Sequence, residues 1–315
     1  MTWSSGELFD LGYQHYQGPR EGRMRARKAV FANGFRTTLG LGRGSLAKVL
    51  PILLFASAMA PAVIYALIAS QVTELSDFIP DHSDYYQTVS TILILFSAII
   101  APELLCPDRR NGVISLYLVR PLTATDYVAG RWLAFFAITL LLVYSGQVVL
   151  LVGLTLSAAE PLDYLRDNWL DVPRFLGAGI VVAAFITTIP LAVASFTNRR
   201  AYAAAFVIGL FIISAAAAGI MTGCEEHGDN RESRRDGAAA ERCEPLTGDA
   251  AKWFGLVNMF TVPMHVNDMI FGVESEDQDS NRVADLPNIV PIGWYLLLTA
   301  GPGFALWWRY WRTSA

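Results

Sequence analysis

Six stretches of this sequence, at 49–69, 88–105, 132–156, 175–196, 201–221 and 288–308, are continuously apolar, and the only charged side chain in any of them is Glu103, near the end of the second. A bilayer's hydrocarbon core is crossed by about 20 apolar residues of helix. In lipid the backbone has no solvent to bond, so the spanning solutions are helices and closed β-barrels. Barrel strands alternate apolar and polar residues, whereas these blocks do not. The fold class expected is therefore an all-α integral membrane protein with six transmembrane helices. Composition agrees, at 53% hydrophobic and 17% charged residues against about 25% charged for a soluble domain.

The net charge of −4 is uninformative until it is divided between the two sides of the membrane. If the N-terminus is inside, segments 1–48, 106–131, 197–200 and 309–315 carry 16 of the 24 Lys and Arg. The outer loops 70–87, 157–174 and 222–287 then carry 22 of the 28 Asp and Glu. Short loops decide orientation by their Lys and Arg. The first outer loop has neither, and the first inner loop has Arg109, Arg110, Arg120 and Arg131. Both termini are expected in the cytoplasm and the chain in the plasma membrane, with the first span an uncleaved start.

Segment 1–48 precedes the transmembrane domain 49–315. Its eight basic residues begin at Arg20, among them Arg27, while Phe31, Phe35 and Leu39 recur every fourth residue. That pattern predicts a cytoplasmic amphipathic helix lying on anionic membrane lipids. The glycines of Gly40-Leu41-Gly42-Arg43-Gly44-Ser45 lack phosphate-loop spacing and are read as an elbow. The 66-residue outer loop 222–287 is acidic in its first half, where Cys224 and Cys243 are expected to pair as a disulfide on an oxidising face. Its second half, 254–271, is apolar but holds Pro263, His265 and Asp268, which predicts a re-entrant or interfacial element before the last span.

Catalytic chemistry finds little support. No span carries a charged residue near its middle, where an ion-coupled transporter would keep one. His15, His82, His227 and His265 all fall in the tail or the outer loops, so neither a Ser–His pair nor a metal site sits within a span. Tyr144, Ser145 and Gln147 form the strongest intramembrane polar cluster, which interhelical hydrogen bonding explains. No catalytic residue, metal ligand or nucleic-acid partner is expected.

Between the second and third spans lies Pro102-Glu103, then Asp108-Arg109-Arg110-Asn111-Gly112, Leu116, Arg120-Pro121-Leu122 and Tyr127 to Gly130-Arg131. Residues 111–119 can form a short surface helix, and Thr123 with Asp126 a capped start for the next. This arrangement resembles the ABC-2 type permeases, the membrane subunits of one large class of ABC exporters. The opening Leu8 to Tyr13 and Gly18-Pro19-Arg20 also resemble permeases of actinobacterial type. The resemblance implies that 111–119 is a coupling helix seated on a separate ATPase subunit, with Glu103, Asp108, Arg109, Arg110, Asn111, Gly112, Leu116 and Arg120 at the contact. It implies a second permease subunit, as homodimer or heterodimer, and a path between the second and fifth spans of each half, at the dimer interface, with Thr91, Ser97, Gln147 and Ser214 as candidates to touch cargo. ATP and magnesium would reside on the partner, because this chain has no Walker A lysine loop. The alternatives are a channel or anchor that works without nucleotide, or a lipid-handling enzyme using His227 or His265.

Overall fold

A computed structural model describes residue 18 and residues 22–42, 44–71, 81–114, 122–158, 160–222, 249–273 and 283–314. Among the described residues the chain is helical throughout, without strands. Its helices are α1 (Arg23–Thr38), α2 (Ser45–Gln71), α3 (Tyr85–Thr88), α4 (Ser90–Arg110), α5 (Ala124–Ser157), α6 (Pro161–Asp167), α7 (Asp171–Ala194), α8 (Arg200–Thr222), α9 (Asp249–Gly255), α10 (Thr261–Phe271) and α11 (Ile289–Ser314). Six of them, α2, α4, α5, α7, α8 and α11, are long and apolar enough to cross a membrane, and they cover the six blocks of the sequence.

The boundaries differ where local chemistry outweighs hydropathy. Helix α4 runs five residues past 105, with Pro102 and Pro107 inside it, as buried membrane helices tolerate. Asp108, Arg109 and Arg110 thus belong to its last turn rather than to a loop. The expected start of the surface helix is instead the turn that ends α4. Gly112 N–H donates to the Arg109 carbonyl and Val113 N–H to the Asp108 carbonyl. Gly112 takes the left-handed φ of +66° that this double closure needs. Residues 115–121, with Leu116 and Arg120, lie outside the described residues, as do Cys224 and Cys243.

Helix α5 begins at Ala124, eight residues before 132, because a capping box starts it there. Asp126 N–H donates to Thr123 Oγ1 at 3.3 Å, and Thr123 N–H donates back to Asp126 Oδ2 at 3.1 Å. Its 34 residues make a rod of about 51 Å, well beyond the ~30 Å of a hydrocarbon core. Its length thus leaves turns to spare beyond a hydrocarbon core.

Helices α4, α5 and α7 form the centre, and α2, α8 and α11 the periphery; 67% of the most apolar stretch of α7 is buried against 11% for α11. Aromatic rings fill the centre, with Phe96 against Phe135 at 5.8 Å, Phe55 against Phe96 at 6.0 Å and Phe185 against Phe211 at 6.2 Å. Trp132 Nε1 donates to Thr188 Oγ1 at 2.9 Å and ties α5 to α7.

The two ends of the bundle differ in charge. One gathers α1, the end of α4, the start of α5, the α7–α8 turn and the end of α11, and is rich in arginine. The opposite end carries Asp81, Glu160, Asp163, Asp167 and Asp285. There Tyr85 OH donates to the Ala58 carbonyl and Tyr86 OH to the Phe175 carbonyl, both at 2.8 Å. Phe260, between α9 and α10, sets its ring 6.3 Å from Phe211, midway along α8. The Met259 N–H meets Ser214 Oγ at 3.4 Å, one turn further on.

Candidate functional site

The arginine-rich end is assembled from residues far apart in the chain, each placed by a helix terminus. The last turn of α4 brings Asp108 to α5, where its Oδ2 accepts from Arg131 Nη2 at 2.5 Å and from Tyr127 OH at 2.7 Å. Arg131 is only 2% exposed, so this ion pair is largely shielded from water. Its guanidinium also sits 5.6 Å above the Tyr127 ring, and Tyr127 packs 5.3 Å from Tyr310 of α11. Asp108 thus joins α4 to α5, and the Tyr127 ring extends the contact to α11.

Two further attachments tie α4 to the α7–α8 turn. Glu103 Oε1 accepts from Arg200 Nη1 at 2.6 Å, and Arg109 Nη1 donates to the Ser195 carbonyl. Between them the buried Cys106 thiol faces the Thr197 carbonyl at 3.5 Å. On the other flank Asp126 receives the Nε of Arg23 and of Arg27, each at 2.7 Å. One carboxylate thus caps α5 and anchors α1. The described carboxylates of this end, Glu103, Asp108 and Asp126, are each held by an arginine of another helix.

Helix α1 has a face that its apolar spacing did not reveal. Val30, Gly34 and Thr38 are its buried residues, while Phe31 is exposed and Phe35 and Leu39 are half-buried. The buried face rests on α5 at very short range. A Cβ at Gly34 would stand 2.8 Å from the Ala134 Cβ, and one at Gly130 2.9 Å from Val30 Cγ1. Small residues allow that approach. Docking on α5, as well as any contact with lipid, positions α1.

Of the residues expected at a partner contact, Glu103, Asp108 and Arg109 are turned inward and join helices. Arg110 and Asn111 are exposed. With Asn198, Arg199 and Arg200 they border a cleft of ≈ 800 Å³ between the end of α4 and the start of α8. Among the described residues no carboxylate pairs with Arg110 or Arg199. The cleft is an open basic surface beside the turn from which 115–121 depart.

The residues expected along a path are divided. Thr91 is exposed on α4. Ser97 Oγ donates to the Ile94 carbonyl at 2.9 Å, and Ser214 Oγ to the Phe211 carbonyl at 2.9 Å. Gln147 is buried and bonded to His82: its Oε1 lies 2.7 Å from His82 Nδ1, and its Nε2 donates to the His82 carbonyl at 2.9 Å. His82 also stacks on Phe175 at 5.7 Å. Sequence reasoning missed this pair by assigning His82 to an open loop. The available signal was Gln147 itself, an intramembrane amide with two bonding groups to satisfy. Nearby, Asn267 of α10 donates to the Ser83 carbonyl at 3.0 Å. Burial pushes His265, on the same helix, below the ordinary histidine value, with the Asp268 charge opposing.

Among the described residues no group of three His, Cys, Asp or Glu side chains is placed to hold a metal ion. No protein-family model matches the chain, and no curated protein matches it.

Proposed function

We propose that the chain is the membrane-spanning subunit of an ATP-driven exporter of the ABC-2 type, forming the translocation path while a separate ATPase supplies the energy. The single observation that carries this reading is the division of labour within the 102–131 motif. Glu103, Asp108, Arg109 and Arg131 bind the end of α4 to α5 and to the α7–α8 turn, whereas Arg110 and Asn111 face outward over a basic cleft. A load applied to the turn at 111–114 would pass through those bonds into several spans at once, as a coupling lever requires. Loosely attached arginines, sufficient for topology alone, would transmit nothing.

On this reading the basic end is cytoplasmic, in keeping with the positive-inside rule, and the chain lies in the plasma membrane. ATP and magnesium act on the partner, whose acidic groups meet Arg110 and the coupling segment that continues to Arg120. A second permease subunit packs against one of the sparsely covered helices α2, α8 or α11. Segment 249–271 is re-entrant: Phe260 meets α8 at its midpoint, about 16 Å from either end of that helix. Cys224 and Cys243, on this reading, pair with each other as an outer-loop disulfide. The apolar interior favours a lipid-like or amphipathic cargo.

Co-expression of the full chain with its genomic neighbours, followed by co-purification, tests the reading, and a bound ATPase is the expected result. Arg110→Glu, at an exposed side chain with no helix-joining bond among the described residues, is expected to abolish retention of the ATPase and its lipid-dependent stimulation while the permease stays folded. A chain that purifies alone under every condition, or an Arg110→Glu variant that retains the ATPase fully, overturns it.

A further inference from the structure

A second depression lies on the lipid-facing side of the same end, in the angle between α7, α8 and α11. It encloses ≈ 630 Å³ and is lined almost entirely by apolar side chains, among them Ala192, Phe196, Ala203, Phe206, Leu210 and Gly301. Small residues on all three helices create it: Ala192, Ala203 and Gly301 leave space that leucines would fill. From Tyr202 to Leu210 it follows α8 for eight residues, about 12 Å. That fits within one leaflet, whose hydrocarbon is about 15 Å deep.

What distinguishes this groove from an ordinary lipid-facing surface is its rim. The Arg199 guanidinium lies 5.4 Å over the Tyr202 ring, and that of Arg309 lies 5.7 Å over the Phe196 ring. Phe196 and Tyr202 both line the groove. Two cations are thus carried on the aromatic walls at the mouth, and both arginines are exposed. The described carboxylates of this end are engaged by Arg23, Arg27, Arg131 and Arg200, and among the described residues none pairs with Arg199 or Arg309.

We infer that this groove is a binding site for an anionic phospholipid, with one acyl chain between α7, α8 and α11 and the phosphate-bearing headgroup between Arg199 and Arg309. The shape calls for an unbranched apolar chain confined to a single leaflet, and the rim calls for negative charge at the leaflet's surface. A second copy of this chain is the weaker occupant on charge grounds, since alongside in the same orientation it would bring its own arginines to these two.

Native mass spectrometry of the full chain, released from micelles that contain either phosphatidylglycerol or phosphatidylcholine, tests the site. Phosphatidylglycerol is expected to be retained in preference. Arg199→Gln with Arg309→Gln should reduce that preference about thirtyfold, as two guanidiniums at about 1 kcal/mol each correspond to. Gly301→Leu, at a position where a Cβ meets nothing within 4 Å, should reduce retention of both lipids by filling the groove. If that variant does not fold, the arginine pair, on exposed surface, still decides the matter. Equal retention of the two lipids by the native chain, or an unchanged preference in the double arginine variant, overturns the site. Competition by glycerol phosphate as effective as by the whole lipid would reduce it to an anion site and overturn the acyl-chain assignment. A lipid-free dimer cross-linked through Gly301→Cys would give the groove to a second copy.

Discussion

Asp108 shows how one side chain can decide the rigidity of a membrane protein's end. It meets a guanidinium that is 2% exposed and a tyrosine hydroxyl together. Removing the charge leaves a buried cation without this counter-ion, the costly way to break such a pair. Asp108→Asn is expected to cost about 3 kcal/mol and to lower the melting temperature in detergent. Tyr127→Phe removes only a neutral donor and should cost about 1 kcal/mol. Equal effects would mean that the hydrogen bond, not the ion pair, is what matters. His265 offers a pH-dependent counterpart. Its neutral form is favoured in the fold because burial lowers its pKa, so the unfolded chain takes up the proton first as pH falls. The native state is therefore favoured above about pH 6.5, the ordinary histidine value, and loses stability below it. Melting temperatures measured from pH 8 down to 5.5 should decline more steeply for the native chain than for His265→Gln. Parallel curves would assign the acid sensitivity elsewhere.

Among the elements, what could be read from the sequence was whatever is encoded locally. The six spans follow from uninterrupted apolar runs, and the start of α5 follows from Thr123 and Asp126 three residues apart. The continuation of α4 through Pro107 was not legible, because Asp108-Arg109-Arg110 reads as an exit from the membrane unless it is known that Arg131 and Ser195 receive those side chains. His82 meeting Gln147 across 65 positions was hidden for the same reason: tertiary partners carry no local signature. Helix α1 is the mixed case. Its helical period was visible in Phe31, Phe35 and Leu39, but the face that docks is marked by small residues, Gly34 on α1 and Gly130 on α5, which hydropathy ignores. At Gly130 a longer side chain would push directly into Val30. Gly130→Leu is expected to destabilise the crossing by about 1–3 kcal/mol and to speed tryptic cleavage at Arg25, Arg27 and Lys28. Unchanged protection of those bonds would show that lipid, rather than α5, holds α1 in place.

At the scale of the whole molecule the charged side chains divide between the two ends of the bundle, and on the proposed reading this division sets the orientation in the membrane. Arg23, Arg27, Arg109, Arg110, Arg131, Arg199, Arg200, Arg309 and Arg312 lie at helix ends that the Asp108, Glu103 and Asp126 bonds gather together. The opposite end has Asp81, Glu160, Asp163, Asp167 and Asp285, with Arg166, Arg174 and Lys252 the described cations on its side. Arginine-rich ends are retained on the cytoplasmic side during insertion. On the proposed reading, six spans would then return both flanking segments to that side. Asn111 and Asp163 are exposed at the two ends and serve as reporters. With Cys106, Cys224 and Cys243 replaced by serine, Asn111→Cys should react with an impermeant maleimide only after the cell envelope is opened, and Asp163→Cys should react in intact cells. Reaction of both from the same side would contradict the two-ended arrangement. Reaction in the reverse order would keep the bundle but invert it, moving the basic cleft beside Arg110 to the face where no ATPase could reach it.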